Sequence, residues 1–268
     1  MSALTTPEHW DEYWDQVRLP VAVAPGDASS TAAILQVIDR FASSPSRLSV
    51  LEVGGAPGGY LVHLWRQFGH DVCVLDNSPA GIELSRRNFA LLGVPGRVLE
   101  RDLFAPDDSD LKFDLVFSLG LIEHFQDTTA VVDAHLSYVR PGGTLIVGCP
   151  NFRGINGWLL QRLSPSLLRW HNLDAMDISR WPEFERRLNL DVKFRSYVAG
   201  FQPGVFWRCE RRSIINRATS RGLTELGQRM PDGIEKALSR LNSSLWSYYA
   251  LGAYGKRAVD AAGEGPAV

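Results

Sequence analysis

Acidic side chains stand at the ends of predicted strands, where they could hold a ligand. Glu52 lies near the end of one apolar run, Asp76 directly follows the next run, and Asp102 follows a third. The carboxyl ends of parallel strands meet at one edge of an open sheet, and such sheets bind their ligands there. An acid at Asp76 can accept hydrogen bonds from both hydroxyls of a ribose, whereas an acid at Glu52 suits a cationic amino group better than a pyrophosphate. The acids therefore predict a ribose-containing ligand.

A second group with chemical potential follows the fourth predicted strand, Phe113 to Ser118. The next loop contains Glu123 and His124, and its position after a buried strand places it at the ligand-binding edge of the sheet. Because a histidine titrates near neutral pH, His124 could act as a general base with a pKa near the working pH. Glu123 could act beside it or orient the loop, and a surface position for His124 stays open.

The elements that position these groups begin with a strand, a turn and a helix. The run from Leu48 to Val53 has the continuous apolar character of a buried strand. A flexible turn around Pro57 and a helix ended by Gly69 follow, and the helix would point free N–H groups at a ligand. This order predicts the first unit of a nucleotide-binding, doubly wound sheet. The turn contains Gly54, Gly55, Gly58 and Gly59, and the helix presents Leu61, Leu64, Trp65 and Phe68.

The whole chain divides into a lid, a core, a cap and a closing segment. We expect a helical lid over residues 1–45, the ligand-binding core over 46–150, a substrate cap over 151–182, and strands and helices that complete the core over 183–256. A disordered tail is expected over 257–268 because its residues are small and polar. The fold class predicted by these elements is α/β, with a doubly wound, mostly parallel sheet and helical cap insertions.

Candidate substrate-binding residues come from the lid and the cap. Aromatic residues near the N-terminus recur at helical spacing, so this helix either packs on the domain or covers the ligand with its rings. The cap follows the fifth strand and mixes polar with aromatic residues. We therefore expect it to lie over the entrance of the ligand-binding pocket. The candidates are Tyr13, Trp14, Asn151, Arg153, Asn156, Trp158 and His171.

Composition narrows the classes of protein that fit. The 268 residues are 45% hydrophobic, which suits one globular domain with an added cap, and a net charge of −2 gives no reason to expect nucleic acid or an anionic membrane as a partner. The cysteines form no CxxC pair, so neither a disulfide framework nor a metal site is expected. The acidic N-terminal segment is unlike a signal peptide, and no apolar run approaches the roughly 20 residues that span a bilayer. A cytoplasmic location is expected, and a homodimer stays open.

The segment from Glu52 to Gly58 resembles the first motif of the class I S-adenosylmethionine-dependent methyltransferases, an acid followed by spaced glycines, with Ala56 in place of the middle glycine. The loop with Glu123 and His124 is similar to that of small-molecule methyltransferases such as the quinone-biosynthesis O-methyltransferases. A Pro-Gly-Gly turn at 141–143 before the fifth strand is a further similarity. The resemblance implies a seven-stranded Rossmann-like sheet whose last strand inserts antiparallel.

The resemblance also implies which residues contact S-adenosylmethionine. Asp102 would receive the adenine amino group, and the backbone N–H of Leu103 would meet a ring nitrogen. Asp76 would bind the ribose, and Glu52 would face the amino group of the methionine part. The complete implied set is Glu52, Gly54, Gly55, Ala56, Gly58, Tyr60, Asp76, Asn77, Asp102, Leu103 and Leu119.

The predicted reaction is methyl transfer to an O, N, S or C atom of a small-molecule acceptor by in-line displacement. The protein must hold a nucleophile in line with the S–CH3 bond and exclude water. A nicotinamide oxidoreductase would need a Tyr-x-x-x-Lys pair, and an RNA ribose methyltransferase, whose turn is similar to GGAPGGY, would need lysines before the first strand and after the fifth. The chain offers neither set, and a non-catalytic module that keeps the fold is a third alternative. The lysines of the chain are Lys112, Lys193, Lys236 and Lys256.

Overall fold

One seven-stranded sheet runs through the molecule, in the order β3-β2-β1-β4-β5-β7-β6. The structure is a computed structural model that describes residues 3–26, 29–105, 111–202 and 241–257, with a few helical positions between 218 and 225. Strands β1 to β5 run parallel, and β7 runs antiparallel to β5 and β6. The predicted doubly wound sheet is confirmed. The strands are β1 Ser49–Val53, β2 Asp71–Asp76, β3 Arg97–Glu100, β4 Phe113–Leu119, β5 Val139–Pro150, β6 Asp191–Val198 and β7 Tyr249–Gly255.

Helices cover both faces of this sheet because successive strand residues point to opposite sides. In β1, Val50 joins the apolar layer under α2, α3 and α4, whereas Leu51 joins the layer under α5 and α8. Both layers are buried, as the continuous apolar runs predict. The helices are α1 Pro7–Trp14, α2 Ser29–Ala42, α3 Gly59–Phe68, α4 Pro79–Leu92, α5 Thr128–Tyr138, α6 Gly154–Leu163, α7 Pro165–Leu168 and α8 Pro182–Arg187, with a 3-10 turn at Ile122–His124.

Strand β5 is longer than predicted. It begins at Val139, so the Pro-Gly-Gly segment lies inside the strand and not in a turn before it. The chain accommodates this segment through a register shift against β4 between Phe113 and Leu115, and through a left-handed backbone at Gly142. A glycine is needed there because other residues rarely adopt that conformation.

The last two strands are shorter than their apolar runs. The sequence predicts strands over residues 191–201 and 245–254, but β6 ends at Val198 and β7 begins at Tyr249. Strand ends are set by pairing with the neighbouring strand, which an apolar run by itself does not reveal. The sequence also predicts a helix after Pro231 and an arginine-rich helix between residues 208 and 221. The first of these helices, nearly all of the second, and residues 258–268 of the predicted tail lie outside the described residues.

The strand order reverses between β1 and β4, which are neighbours in the sheet. Crossovers from these two strands leave in opposite directions, so a crevice opens at their carboxyl ends. The glycine-rich turn after β1 and the Glu123–His124 loop after β4 both lie at this edge. Among the described residues, none of the helices has the length and apolar character required to cross a bilayer.

Gly58 shapes the turn after β1, and its substitution tests why a glycine is there. Its φ is +80°, and an added Cβ would lie 2.7 Å from Cε1 of Phe89. We predict that Gly58→Ala lowers the free energy of unfolding by about 2–5 kcal/mol, combining left-handed strain with crowding of α4. Gly93→Ala is the matched control, because Gly93 has a φ of +67° and open space around its Cβ. Denaturant titration should show the smaller loss in Gly93→Ala, and equal losses would rule out the crowding.

His135 on α5 predicts how folding depends on pH. Burial lowers the pKa of its imidazole from 6.5 to about 4. The unfolded chain therefore binds this proton more readily, so the stabilising contribution is complete above about pH 6.5 and is lost as the pH falls towards 4. The loss at pH 4 is roughly 3 kcal/mol from this residue. Denaturant titration at pH 7.5 and pH 4.5 should show a smaller acid loss in His135→Gln than in the wild type, and identical losses would contradict the assignment.

Candidate active site

A cavity of about 640 Å³ opens at the carboxyl edge of the sheet, under α1. Its wall combines the ends of β1, β2 and β4 with the N-terminal segment and the cap. The sequence-predicted residues found in the wall are Tyr13, Trp14, Gly54, Asp76, Asn77, Asp102, Leu103, Leu119, Glu123, His124 and His171. Side chains that the sequence did not single out as ligand-binding include Thr5, His9, Trp10, Phe104, Phe125 and Tyr249.

Asp76 organises the part of the wall next to β2. Only 6% of the residue is exposed, and its carboxyl group accepts hydrogen bonds from the backbone N–H of Ser78, at 2.9 Å, and of Ala56 and Asn77. Burial raises the pKa of Asp76, and these hydrogen bonds oppose that rise. Gly54 lies beside it, and a Cβ on Gly54 would come within 3.1 Å of Leu121. A carboxyl group next to bare main chain is the arrangement that a ribose-containing ligand requires.

Glu52 lies behind the glycine-rich turn and outside the cavity wall. It is buried, and an added Cβ on Gly55 would lie 2.1 Å from its Cγ atom, so Gly55 makes room for this side chain. Its Oε2 atom has no hydrogen-bond partner within the described part of the chain. Burial, followed by the nearby charge of Asp76, raises the pKa of Glu52 well above its usual value.

Other residues predicted to bind the cofactor shape the turn and do not line the cavity. Gly55 accommodates Glu52, the N–H of Ala56 donates to Asp76, and Gly58 packs against Phe89. Tyr60 lies on α3, where its ring packs against the apolar layer under α2 and α3. Spacing along a motif does not separate residues that touch a ligand from those that hold the backbone around it.

Three polar side chains meet at the edge of the cavity next to β4. Glu123 and His124 follow β4, and His171 comes from the cap, with its ring centroid 4.6 Å from that of His124. Oε1 of Glu123 lies 3.9 Å from Nε2 of His124. We call Glu123, His124 and His171 the polar cluster.

Burial controls the protonation of the polar cluster. It raises the pKa of Glu123 to about 8, and it lowers the pKa of His124 to about 3, with the neighbouring His171 as the next cause. The pKa of His171 is also lowered by burial. The expectation that His124 titrates near the working pH is therefore wrong, because desolvation disfavours the charged imidazole.

Helix α1 covers the cavity and is fixed at two places. The carboxylate of Asp11 accepts hydrogen bonds from the hydroxyl of Ser78, at 2.6 Å, and from the N–H of Ala80, so it adds to the cap of α4. Upstream of the helix, the N–H of Leu4 donates to the backbone carbonyl of His124 at 2.8 Å. Trp10 then packs edge-on against the His124 ring, with a centroid distance of 4.8 Å.

The cap contributes less to the cavity than predicted. Asn151 and Asn156 are buried, and their amides donate to backbone carbonyls, including that of Ser247, so they join the cap to the segment before β7. Arg153 pairs with Asp177 at 2.8 Å. These residues lie outside the cavity wall. Their side chains bind other parts of the protein, because the backbone carbonyl groups of an irregular segment need hydrogen-bond partners.

Trp158 also lies outside the wall. It is 54% exposed, and the guanidinium of Arg162 lies over its ring at 3.9 Å from the centroid. Of the five cap residues predicted to bind substrate, His171 alone lines the cavity.

Asn88 is a structural residue that the sequence did not reveal. Its amide oxygen accepts from the N–H of Val21 at 2.8 Å, and its amide nitrogen donates to the carbonyl groups of Val21 and Pro57. It therefore joins the segment after α1 to the glycine-rich turn. A buried asparagine within an amphipathic helix is the available signal, since buried amides must find partners.

The chain matches a family described as a methyltransferase domain over residues 28–195. Ubiquinone biosynthesis O-methyltransferases are similar in sequence: that of Methylobacterium nodulans is 29% identical over 39% of this chain and 41% of its own length, and that of Xanthomonas axonopodis pv. citri is 30% identical over 40% and 45%. The chain thus spans less than half the length of these curated relatives. A solved geranyl diphosphate C-methyltransferase from Streptomyces coelicolor shares the fold, with a TM-score of 0.58, 17% identity and coverage of 93% of this chain and 97% of its own.

The strand order of the sheet, the turn after β1 and the family match all indicate the same class of protein. The chain belongs to the methyltransferase domain family, within the class I S-adenosylmethionine-dependent methyltransferases. S-adenosylmethionine is the cofactor of this class, and the predicted class and fold are confirmed. The roles of individual site residues stay predictions.

Asp76 offers a direct test of the cofactor site. We predict that Asp76→Asn weakens binding of S-adenosylhomocysteine by about 1.5–3 kcal/mol, the usual contribution of hydrogen bonds to a charged group. Asp71→Asn is the matched control, because Asp71 begins the same strand and pairs with Arg47 at its exposed end. Calorimetry should show wild-type affinity for the control. Equal affinity of all three proteins would exclude Asp76 from the ribose site.

Proposed function

We propose that this protein transfers the methyl group of S-adenosylmethionine to a hydroxyl oxygen of an aromatic small molecule. The observation that carries the proposal is the wall near the polar cluster, where the rings of Trp10, Phe125 and Tyr249 line the same cavity. Flat apolar rings with a few placed polar groups are typical of small-molecule sites. The names of the curated relatives support an oxygen as the acceptor atom.

The residues next to β1 to β3 would hold the cofactor, which supplies an electrophilic methyl group when bound. Asp76 would accept the ribose hydroxyls, and Asp102 and Leu103 would receive the adenine. Gly54 has no side chain, so the cofactor could approach the backbone closely at this position. Glu52, behind the turn, would support the shape of the turn through its contact with Gly55.

The polar cluster would orient the acceptor hydroxyl. Nδ1–H of His124 donates to the backbone carbonyl of Trp170 at 2.9 Å, so its Nε2 atom carries the lone pair. That atom and the carboxyl group of Glu123 are both available to accept a hydrogen bond from the hydroxyl. The O–CH3 bond would form as the S–CH3 bond breaks, with S-adenosylhomocysteine as the leaving group, and the hydroxyl proton would pass to the lone pair on Nε2 of His124. Holding the oxygen in line for displacement is the larger part of the catalysis, because the methyl group is already reactive.

Helix α1 would exclude water from the reacting groups. Its attachments through Asp11 and Leu4 keep Trp10 and Trp14 in the wall of the cavity. A closed, water-poor site strengthens the polar interactions inside it and protects the nucleophile from competing solvation. We infer that α1 must open for ligands to enter, since it covers the carboxyl edge of the sheet.

A labelled-methyl assay tests the proposed acceptor. Tritiated S-adenosylmethionine is incubated with a panel of catechols, phenols, aliphatic alcohols, amines and thiols, and mass spectrometry locates the methyl group. We expect transfer to the oxygen of a catechol or phenol. Transfer only to an amine or a thiol would replace the proposed acceptor atom. Cofactor binding without transfer to any member would favour a non-catalytic module.

Two tryptophans provide a matched test of the aromatic wall. Trp10→Ala should raise KM for an aromatic acceptor by about tenfold, because an aromatic contact contributes about 0.5–1.5 kcal/mol beyond the buried area. Trp158→Ala removes a ring of the same size that is exposed and outside the cavity, so it should leave KM unchanged. Steady-state kinetics with the acceptor found in the panel measures both. Equal effects would place the aromatic acceptor elsewhere.

A further inference from the structure

The three members of the polar cluster present their ligating atoms to one another. Glu123, His124 and His171 each offer one such atom, and the three atoms lie within 4.8 Å of one another. Two of them follow β4, and the third comes from the cap, where the N–H of Asn172 donates to the backbone carbonyl of Glu123 at 2.6 Å. The fold thus fixes the cap histidine beside the strand loop.

Backbone carbonyl groups determine which nitrogen of each imidazole carries the proton. Nδ1 of His124 lies 2.9 Å from the carbonyl oxygen of Trp170, and Nδ1 of His171 lies 2.7 Å from that of Leu167. A carbonyl oxygen only accepts hydrogen bonds, so both Nδ1 atoms donate and both Nε2 atoms keep a lone pair. A second hydrogen bond of this kind is the usual support of a metal-bound histidine.

Glu123 brings a buried carboxyl group next to the two imidazoles. The residue is 1% exposed, and its Oε2 atom has no hydrogen-bond partner in the part of the chain described. Oε1 lies 3.9 Å from Nε2 of His124, which is too far for a hydrogen bond. A buried polar oxygen without a partner is unfavourable, and a cation bound to the carboxylate form of Glu123 would supply that partner.

We propose that Glu123, His124 and His171 bind one divalent transition-metal ion of the zinc type. Two imidazole nitrogens and one carboxylate oxygen are a donor set that suits zinc better than magnesium. A point among three atoms that are at most 4.8 Å apart can lie within about 2.8 Å of each, so each donor moves inward by no more than roughly 0.7 Å to reach a zinc bond of about 2.1 Å. The cysteine spacing gave no sign of this site, because its ligands are not cysteines and come from separate elements.

The role of the ion deepens the proposed function and rests on it. All three ligands line the cavity, so a coordination position remains for a ligand that enters there. An oxygen of the acceptor would occupy this position in place of its hydrogen bond to Nε2 of His124, and the ion would fix that oxygen next to the cofactor site.

Metal binding by the full chain, without cofactor or acceptor, tests the site. Calorimetric titrations with Zn²⁺ and Mg²⁺, and the visible absorption of added Co²⁺, measure stoichiometry and selectivity. We expect one Zn²⁺ per chain, a Co²⁺ spectrum of low coordination number and much weaker Mg²⁺ binding. Magnesium binding as tight as zinc binding would overturn the proposal, as would the absence of zinc binding.

Variants locate the ion. His171→Ala and Glu123→Gln should each weaken Zn²⁺ binding at least about tenfold. His63→Gln is the matched control, because His63 also contacts a carboxylate, Asp39, at 2.9 Å, but lies outside the cavity wall and should keep wild-type affinity. His171 is only partly buried, so its variant decides the question if Glu123→Gln does not fold.

The outcomes separate this proposal from the proposed function. Zinc binding that depends on His171 supports the site whether or not a methyl acceptor is found. Zinc binding that is unchanged in His171→Ala overturns the site, and methyl transfer to a phenol would still stand.

Discussion

The carboxyl group of Asp76 is the interaction on which the cavity depends. It accepts backbone N–H groups from Ala56 in the turn after β1 and from Asn77 and Ser78 after β2. N–H groups in turns and at helix starts have no partners within regular structure, so one buried acceptor satisfies several of them together. The same group stands in the cavity wall, where a ribose would meet it. The backbone of the site and the predicted ribose contact thus share one side chain.

The N-terminus of α4 extends this connection to α1. Ser78 caps the helix through its hydroxyl oxygen, which accepts from the N–H of Gly81 at 3.0 Å, and the hydroxyl group itself donates to Asp11 on α1. Asp11 also accepts from the N–H of Ala80. A carboxylate at a helix N-terminus is stabilised by the free N–H groups and by the dipole. The sheet edge, α4 and α1 therefore form one hydrogen-bonded unit through the contacts of Asp11 with Ser78 and Ala80.

Burial gives the polar cluster its character. Desolvation raises the pKa of Glu123 and lowers the pKa values of His124 and His171, so near neutral pH both imidazoles of the cluster are neutral. The aromatic rings of Trp10 and Phe152 pack against His124 and His171, respectively, and contribute to this burial. In a site of low polarity, the position of a lone pair matters more than the unperturbed pKa of the group that carries it.

The sequence by itself determined the sheet, the first motif and the acids that end its strands, because these depend on local periodicity, glycine conformations and the common edge of parallel strands. It also placed Glu123 and His124 at the cavity. Tertiary structure decided which cap residues face the cavity: His171 does, whereas Asn151 and Asn156 are used by the backbone of the cap. It also decided the protonation of His124, since desolvation comes from residues distant in sequence. Contacts between separate elements depend on packing, and a linear pattern does not contain that information.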